Sequence, residues 1–164
     1  VQDSAALIVD LSRNPGGDPK AVAYLLSYFF DRPSFVVNRF RWRNRPVEEF
    51  RTDGDIGGPR YGEQRPLVVQ VSKMTFSAAE EFAYDVQALK RGLVVGEVTG
   101  GGANHALPVN LPGGLQAFIP QARAENPVTR ANWEKIGVTP DRPVSSADAA
   151  RVAHELAVSL VQKA

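Results

Sequence analysis

Three short apolar runs, "AALIVDL" at 5–11, "PLVVQVS" at 66–72 and "GLVVGE" at 92–97, constrain this chain more than any other feature. Each is bounded by turn-forming residues, which reads as a buried strand, and the first two are followed by amphipathic stretches of helical period. Strands that alternate with helices argue for an α/β domain, a mostly parallel sheet covered by helices. With 164 residues, 43% of them apolar, the chain has material for one domain with its own core.

The helices carry their own signals. "DPKAVAYLLSYFFD" places Asp18 as N-cap and Pro19 at the first helical position, with Val22, Leu25, Leu26 and Phe29 on one face. "SAAEEFAYDVQALKR" sets Ala79, Phe82, Ala83, Val86 and Leu89 along another face. The last twenty residues begin with a Ser145 cap and Asp148 three positions on, then Val152, Leu156, Ser159 and Leu160 at helical spacing.

Between Arg32 and Arg65 the pattern loosens. "FVVNRFRWR" alternates like a strand, "VEEFRT" is a candidate partner for it, and "DGDIGGPRYGEQRP" reads as an exposed, mobile loop. "ALPVNLPGGLQAFIP" reads as a hairpin or a pair of edge strands around Pro-Gly-Gly.

Nineteen basic against eighteen acidic residues leave no net field for nucleic acid, and Arg39, Arg41, Arg43 and Arg45 are expected on the solvated face of a strand. The absence of cysteine excludes disulfides and thiolate chemistry. Two histidines without ligand spacing make no zinc site, and no metal or other cofactor is expected. No run reaches the roughly 18 to 20 apolar residues that cross a bilayer. The chain starts at Val1 and enters a strand within a few residues, so residues 1–164 are expected to be one domain of a longer protein.

Ser77 follows a strand and opens a helix, where backbone amides and the positive helix end suit a nucleophile beside an oxyanion site. The same residue with Glu80 makes a capping box, which explains it equally well. "NPGG" at 14–17 brings amides to a concave surface or simply makes a tight turn. "TGGGAN" at 99–104 lacks the lysine of a phosphate-binding loop.

"LIVDLSRNPGGDP", "TFSAAEEFAYDVQALKR", "VVGEVTGGGAN" and "NWEKIGVTPD" occur in that order, and together they resemble the catalytic domain of the C-terminal-processing (tail-specific) serine proteases. Within that family the likeness is to the branch that includes interphotoreceptor retinoid-binding protein. The resemblance implies a ClpP/crotonase-like ββα-spiral fold, with Ser77 as nucleophile and the amides of Ala78 and of Gly16 or Gly17 as oxyanion hole. Many members place a lysine base in the turn that here reads Gly100-Gly101-Gly102. Glycine cannot take a proton, and Lys73 and Lys90 do not match that position. In a second branch, that of the tricorn core protease, a histidine and a second serine from an upstream segment act with a glutamate, and that glutamate falls on Glu134. His105 is then a substrate-contact candidate with Gly100 and Gly101, whereas His154 reads as an exposed helical residue.

The expected function is peptide-bond hydrolysis through an acyl-enzyme. The substrate would be a peptide or unfolded protein, the base would come from an upstream subdomain of the same protein, and the location would be secreted or periplasmic. The isolated piece is expected to be inactive. Glu134 also has a plain reading as a surface partner of an arginine beside Trp133, a packing anchor. The alternative function is a carrier of an apolar ligand lined by Phe29, Phe30, Phe76 and Phe118, residues that core packing also explains.

Overall fold

The structure, a computed structural model, describes residues 3–32 and 34–163. In chain order the elements are β1 (Leu7–Asp10), α1 (Pro19–Ser27), β2 (Val36–Trp42), β3 (Glu48–Arg51), β4 (Leu67–Val71), α2 (Ala78–Ala88), β5 (Leu93–Gly96), β6 (His105–Asn110), β7 (Gln116–Glu125), β8 (Arg142–Pro143) and α3 (Ser146–Val161). The three apolar runs become β1, β4 and β5 of one parallel sheet, ordered β1-β4-β5-β8. Its register sets Leu7 beside Leu67 and Val68 beside Leu93. The α/β expectation is met in this sheet.

The remaining strands form a second, antiparallel sheet ordered β3-β2-β7-β6, which the expectation of a mostly parallel sheet did not include. Its parts were nevertheless visible as a pairing of β2 with β3 and a hairpin of β6 with β7. What the sequence could not supply is the long-range pairing of β2 with β7, Arg39 beside Glu125, which joins the two hairpins into one sheet. The short β8 carried no periodicity to read.

Position in the sheet decides burial. β4 is central and buried at all five residues, as expected. β1 was expected to be fully buried but is an edge strand, and Leu7, Ile8 and Val9 are only half-buried. Helix α3 covers the β1, β4 and β5 face through Ala149, Ala153 and Ala157, with Val152, Leu156 and Leu160 alongside. Ala164, the last residue of the expected helix, lies outside the described residues.

Helix α1 is capped as expected: Asp18 Oδ1 accepts the Lys20 N–H at 2.8 Å, with Pro19 in the first turn. Leu26 is fully buried but Leu25 is 41% exposed, a correction to the expected face. Helix α2 is buried more completely than one apolar face requires, since Glu80, Glu81 and Asp85 are buried with Phe82, Ala83 and Val86. It packs on α1 and β5, and Asp85 also reaches Asn126, at the end of the antiparallel sheet.

The loop expected to be mobile is fastened. The Arg60 guanidinium donates to the carbonyls of Ser27, Phe30 and Gly54, and Tyr61 is buried with its hydroxyl on the Pro66 carbonyl at 2.7 Å. Arg39, Arg41 and Arg51 lie toward solvent in pairs with Glu49 and Glu125, where ion pairs contribute at most about 1 kcal/mol each.

Candidate functional site

The carboxyl ends of β1, β4 and β5 release three loops that meet at one place, the position where parallel sheets present ligand sites. The first is the Asn14–Gly17 turn, the second is the Ser72–Ser77 turn into α2, and the third is Thr99–Asn104. They are stitched together by backbone: the Phe76 N–H donates to the Asn14 carbonyl at 3.1 Å and the Gly100 N–H to the Thr75 carbonyl at 3.0 Å. Thr75 is fully buried and its hydroxyl donates to the Leu11 carbonyl at 2.8 Å.

Ser77 stands at the crossing. Its backbone has φ 53° and ψ −124°, a left-handed conformation that costs an ordinary residue about 1–3 kcal/mol and persists only where the surroundings enforce it. This is the sharp strand-to-helix turn that lifts a serine hydroxyl out of a sheet. The Glu80 half of the capping box is formed as well, the Ser77 N–H donating to Glu80 Oε2 at 2.9 Å, so Ser77 begins the helix and occupies the strained turn.

Gly16 explains why a side chain is absent opposite the serine. At φ 122° its backbone suits glycine, and a Cβ there would lie 2.7 Å from the Ser77 Cβ. The Gly16 N–H is already given to Asn14 Oδ1 at 2.9 Å. Of the two glycine amides, that leaves Gly17, whose N–H has no partner among the described residues, together with the first helical N–H of Ala78. Both border a cavity of about 160 Å³ whose wall includes Leu11, Val22, Leu25 and Phe82.

The sequence concealed a hub. Glu80, fully buried, accepts the N–H groups of Ser77 (2.9 Å), Gly101 (2.7 Å) and Gly102 (2.8 Å) and the Thr99 hydroxyl (2.5 Å). Its carboxylate therefore locks the glycine loop to the serine turn. This uses the N–H of Gly101, and Gly100 gives its own to Thr75, so neither of these amides is open to a substrate. A capping-box spacing was the only signal of Glu80 in the sequence, and it pointed to one of four bonds.

Glu134 belongs to the same assembly rather than to a surface arginine pair. Its Oε2 accepts the Ala103 and Asn104 N–H groups, both at 2.9 Å, while Oε1 has no partner among the described residues. Asn132 Oδ1 takes the Glu134 N–H, and the Lys135 N–H donates to the Gly101 carbonyl at 2.8 Å. Trp133 is buried against Tyr84, the packing anchor expected of it.

Among the described residues no hydrogen bond joins a basic side chain to the Ser77 hydroxyl. His105 packs on Phe40 and Trp42 at ring distances of 5.2 and 5.5 Å, which accounts for it as part of an aromatic cluster in the antiparallel sheet. His154 is exposed on α3, as expected. Lys90 follows the far end of α2, about 16 Å from Ser77 along an eleven-residue helix, and Lys73 is exposed in the turn. The four phenylalanines considered as a ligand lining lie in different surroundings: Phe29 and Phe30 are core, Phe118 is 70% exposed on the hairpin, and Phe76 stands beside Ser77.

Two further carboxyls lie one and two turns into α2. Burial pushes the Glu81 carboxyl up to about 8, the Asn38 side chain opposing and Asp18 reinforcing the shift. Burial, then proximity to Glu81, also raises Asp85 well above the ordinary range, with Asn126 opposing. The Glu81 carboxyl therefore favours its protonated form at neutral pH, and the Asp85 shift has the same sign.

A parallel sheet with a strained serine at the mouth of β4, unoccupied amides beside it and a carboxylate behind its loop is an arrangement suited to acyl transfer. Known proteins place it more closely. Residues 1–144 match the profile of peptidase family S41, and the chain belongs to that family. It is 31% identical over 140 residues to the chloroplastic carboxyl-terminal-processing peptidase 2 of Arabidopsis thaliana, covering 85% of this chain and 26% of that protein. The carboxyl-terminal-processing protease of Picosynechococcus is 30% identical over 145 residues, 87% of this chain and 33% of that one. This chain thus spans about a quarter to a third of such relatives. Among solved structures, the photosystem II D1 C-terminal processing protease superposes with a TM-score of 0.66 at 29% identity, covering 88% of this chain and 36% of its own. Mature CPAF complexed with lactacystin gives 0.78 at 16% identity, over 98% and 45%, a likeness of fold.

Proposed function

We propose that this chain is the catalytic domain of a serine peptidase that cleaves peptide or unfolded-protein substrates through an acyl-enzyme. The strained turn at Ser77, closed on one side by Gly16 and held on the other by Glu80, is the observation that carries the reading. Ser77 Oγ attacks the scissile carbonyl carbon while its proton passes to a base. The Gly17 and Ala78 N–H groups hold the resulting oxyanion, a contribution of about 3–4 kcal/mol per donor in such sites. Collapse breaks the C–N bond and the amine leaves with the proton from the base. Water then attacks the acyl ester by the same route in reverse, freeing Ser77.

The base, on this reading, comes from a segment of the full protein outside the described residues, packed so that Glu134 Oε1 orients it. Support comes from the unengaged Oε1 and from the positions of both histidines and of Lys73 and Lys90 away from a bond with Ser77. The chloroplastic relative favours a location outside the cytoplasm. No helix among the described residues is long and apolar enough to cross a membrane.

Hydrolysis of casein by the full-length protein, compared with its Ser77→Ala variant, tests the reading. Activity present in the first and lost in the second supports it. Activity that survives the substitution removes Ser77 from the mechanism.

A further inference from the structure

The residue before the serine has an unusual floor. The Phe76 ring lies on the glycine loop so closely that a Cβ at Gly102 would come within 2.1 Å of its Cζ, and one at Gly100 within 2.7 Å of its Cδ2. Contacts under 3.0 Å require something to shift, so a Cβ at 100 or 102 would push the ring off its place on the loop. The backbone beneath the ring is clamped: its N–H is given to the Asn14 carbonyl and its carbonyl accepts the Ala79 N–H at 3.1 Å. Glu80 holds Gly102 from below.

Despite this fixation, Phe76 is 44% exposed, whereas Phe29 and Phe30 are 3% and 2% exposed. A large apolar ring left open beside a nucleophile, on a rigid floor, is a binding surface rather than a core residue. It also has a definite side. The cavity walled by Leu11, Val22 and Phe82 opens beside Gly17 and Ala78, toward α1, and the Phe76 ring lies on the opposite, glycine-loop side of Ser77.

We propose that Phe76 is a specificity-determining residue, its ring forming the wall that receives an apolar side chain flanking the scissile bond, with Gly100 and Gly102 kept bare to seat it. A peptide drawn across Ser77 sends one flanking side chain toward the α1 cavity and the other over the ring. The Glu80 carboxylate beneath the loop is engaged by four donors and offers that side chain no open acceptor. Apolar residues laid over the ring gain contact area that charged ones do not. The inference rests on Ser77 as nucleophile.

The test uses the full-length protein and peptides that differ only in one flanking residue, leucine or phenylalanine against glycine or aspartate, on each side of the cleaved bond. In Phe76→Ala the preference in kcat/KM for the apolar over the glycine peptide falls about tenfold at one of the two positions. Gly102→Ala, which displaces the ring, lowers the same preference, and the double variant is no worse than Phe76→Ala alone. Phe76→Leu, of similar apolar character, retains most of the preference, and thermal unfolding verifies that each variant is folded. Preference unchanged in Phe76→Ala, or lost equally at both positions and for all peptides, overturns the role of Phe76 while Ser77 stands. Hydrolysis that persists in Ser77→Ala overturns the nucleophile and this inference with it.

Discussion

Glu80 and Ser77 are three residues apart and bonded through the Ser77 N–H at 2.9 Å, and the same Glu80 oxygen accepts Gly102 at 2.8 Å. One atom therefore sets the distance between the serine turn and the glycine loop. Glu80→Ala leaves four donors without an acceptor, the Thr99 hydroxyl buried and the Ser77, Gly101 and Gly102 N–H groups half-buried, each lost partner costing up to roughly 1–3 kcal/mol. We expect Glu80→Ala to lower stability by at least about 3 kcal/mol in urea denaturation. An effect below about 1 kcal/mol would show that water replaces the carboxylate.

The two glycines of the first turn are expected to separate. Gly16→Ala places a Cβ 2.7 Å from that of Ser77 at φ 122°, so it should distort the serine and reduce turnover of the full protein by at least about a hundredfold. Gly17→Ala meets nothing within 4 Å and should leave the unfolding midpoint near that of the parent. Equal destabilisation by both would contradict the packing of Gly16 on Ser77.

Glu134→Gln should leave the fold in place, since the amide oxygen can still accept from Ala103 and Asn104, yet lower kcat of the full-length protein by roughly a hundredfold or more through loss of the charge that orients the base. An unchanged kcat would confine Glu134 to holding the loop.

The buried carboxyls give a pH dependence of defined sign. In the folded protein Glu81 titrates near 8, against an ordinary value of 4.5. Between these values the unfolded chain binds fewer protons than the folded one, so stability falls as pH rises. The contribution is full below about pH 4.5 and is lost by the time pH has passed about 8. Chemical denaturation across this window should show the decline, and Glu81→Gln should flatten it. Asp85→Asn should act in the same direction. A decline of equal slope in both variants would assign it elsewhere.

The legible parts of this molecule are those encoded locally. Short apolar runs and caps disclosed β1, β4, β5 and all three helices, and four ordered motifs singled out Ser77, Ala78, the glycine turn and Glu134 as candidates, which stand at one end of the parallel sheet. Long-range placement was not legible. Leu25 has the period of a core residue, yet α1 stops at Ser27 and leaves it at the cleft. His105 has the neighbourhood of a site residue in sequence, but β6 carries it to Phe40 and Trp42. Glu80 reads as a cap because three of its four donors come from a loop some twenty residues away.

The most direct measurement is covalent labelling of the full-length protein with a fluorophosphonate, followed by peptide mapping, because it reads the nucleophile without any assumption about substrate. The expected result is a single adduct on Ser77, absent from Ser77→Ala and formed far more slowly in Gly16→Ala. An adduct on another serine, or a folded, proteolytically active protein that takes no label at Ser77, would contradict the assignment of this turn as the catalytic centre.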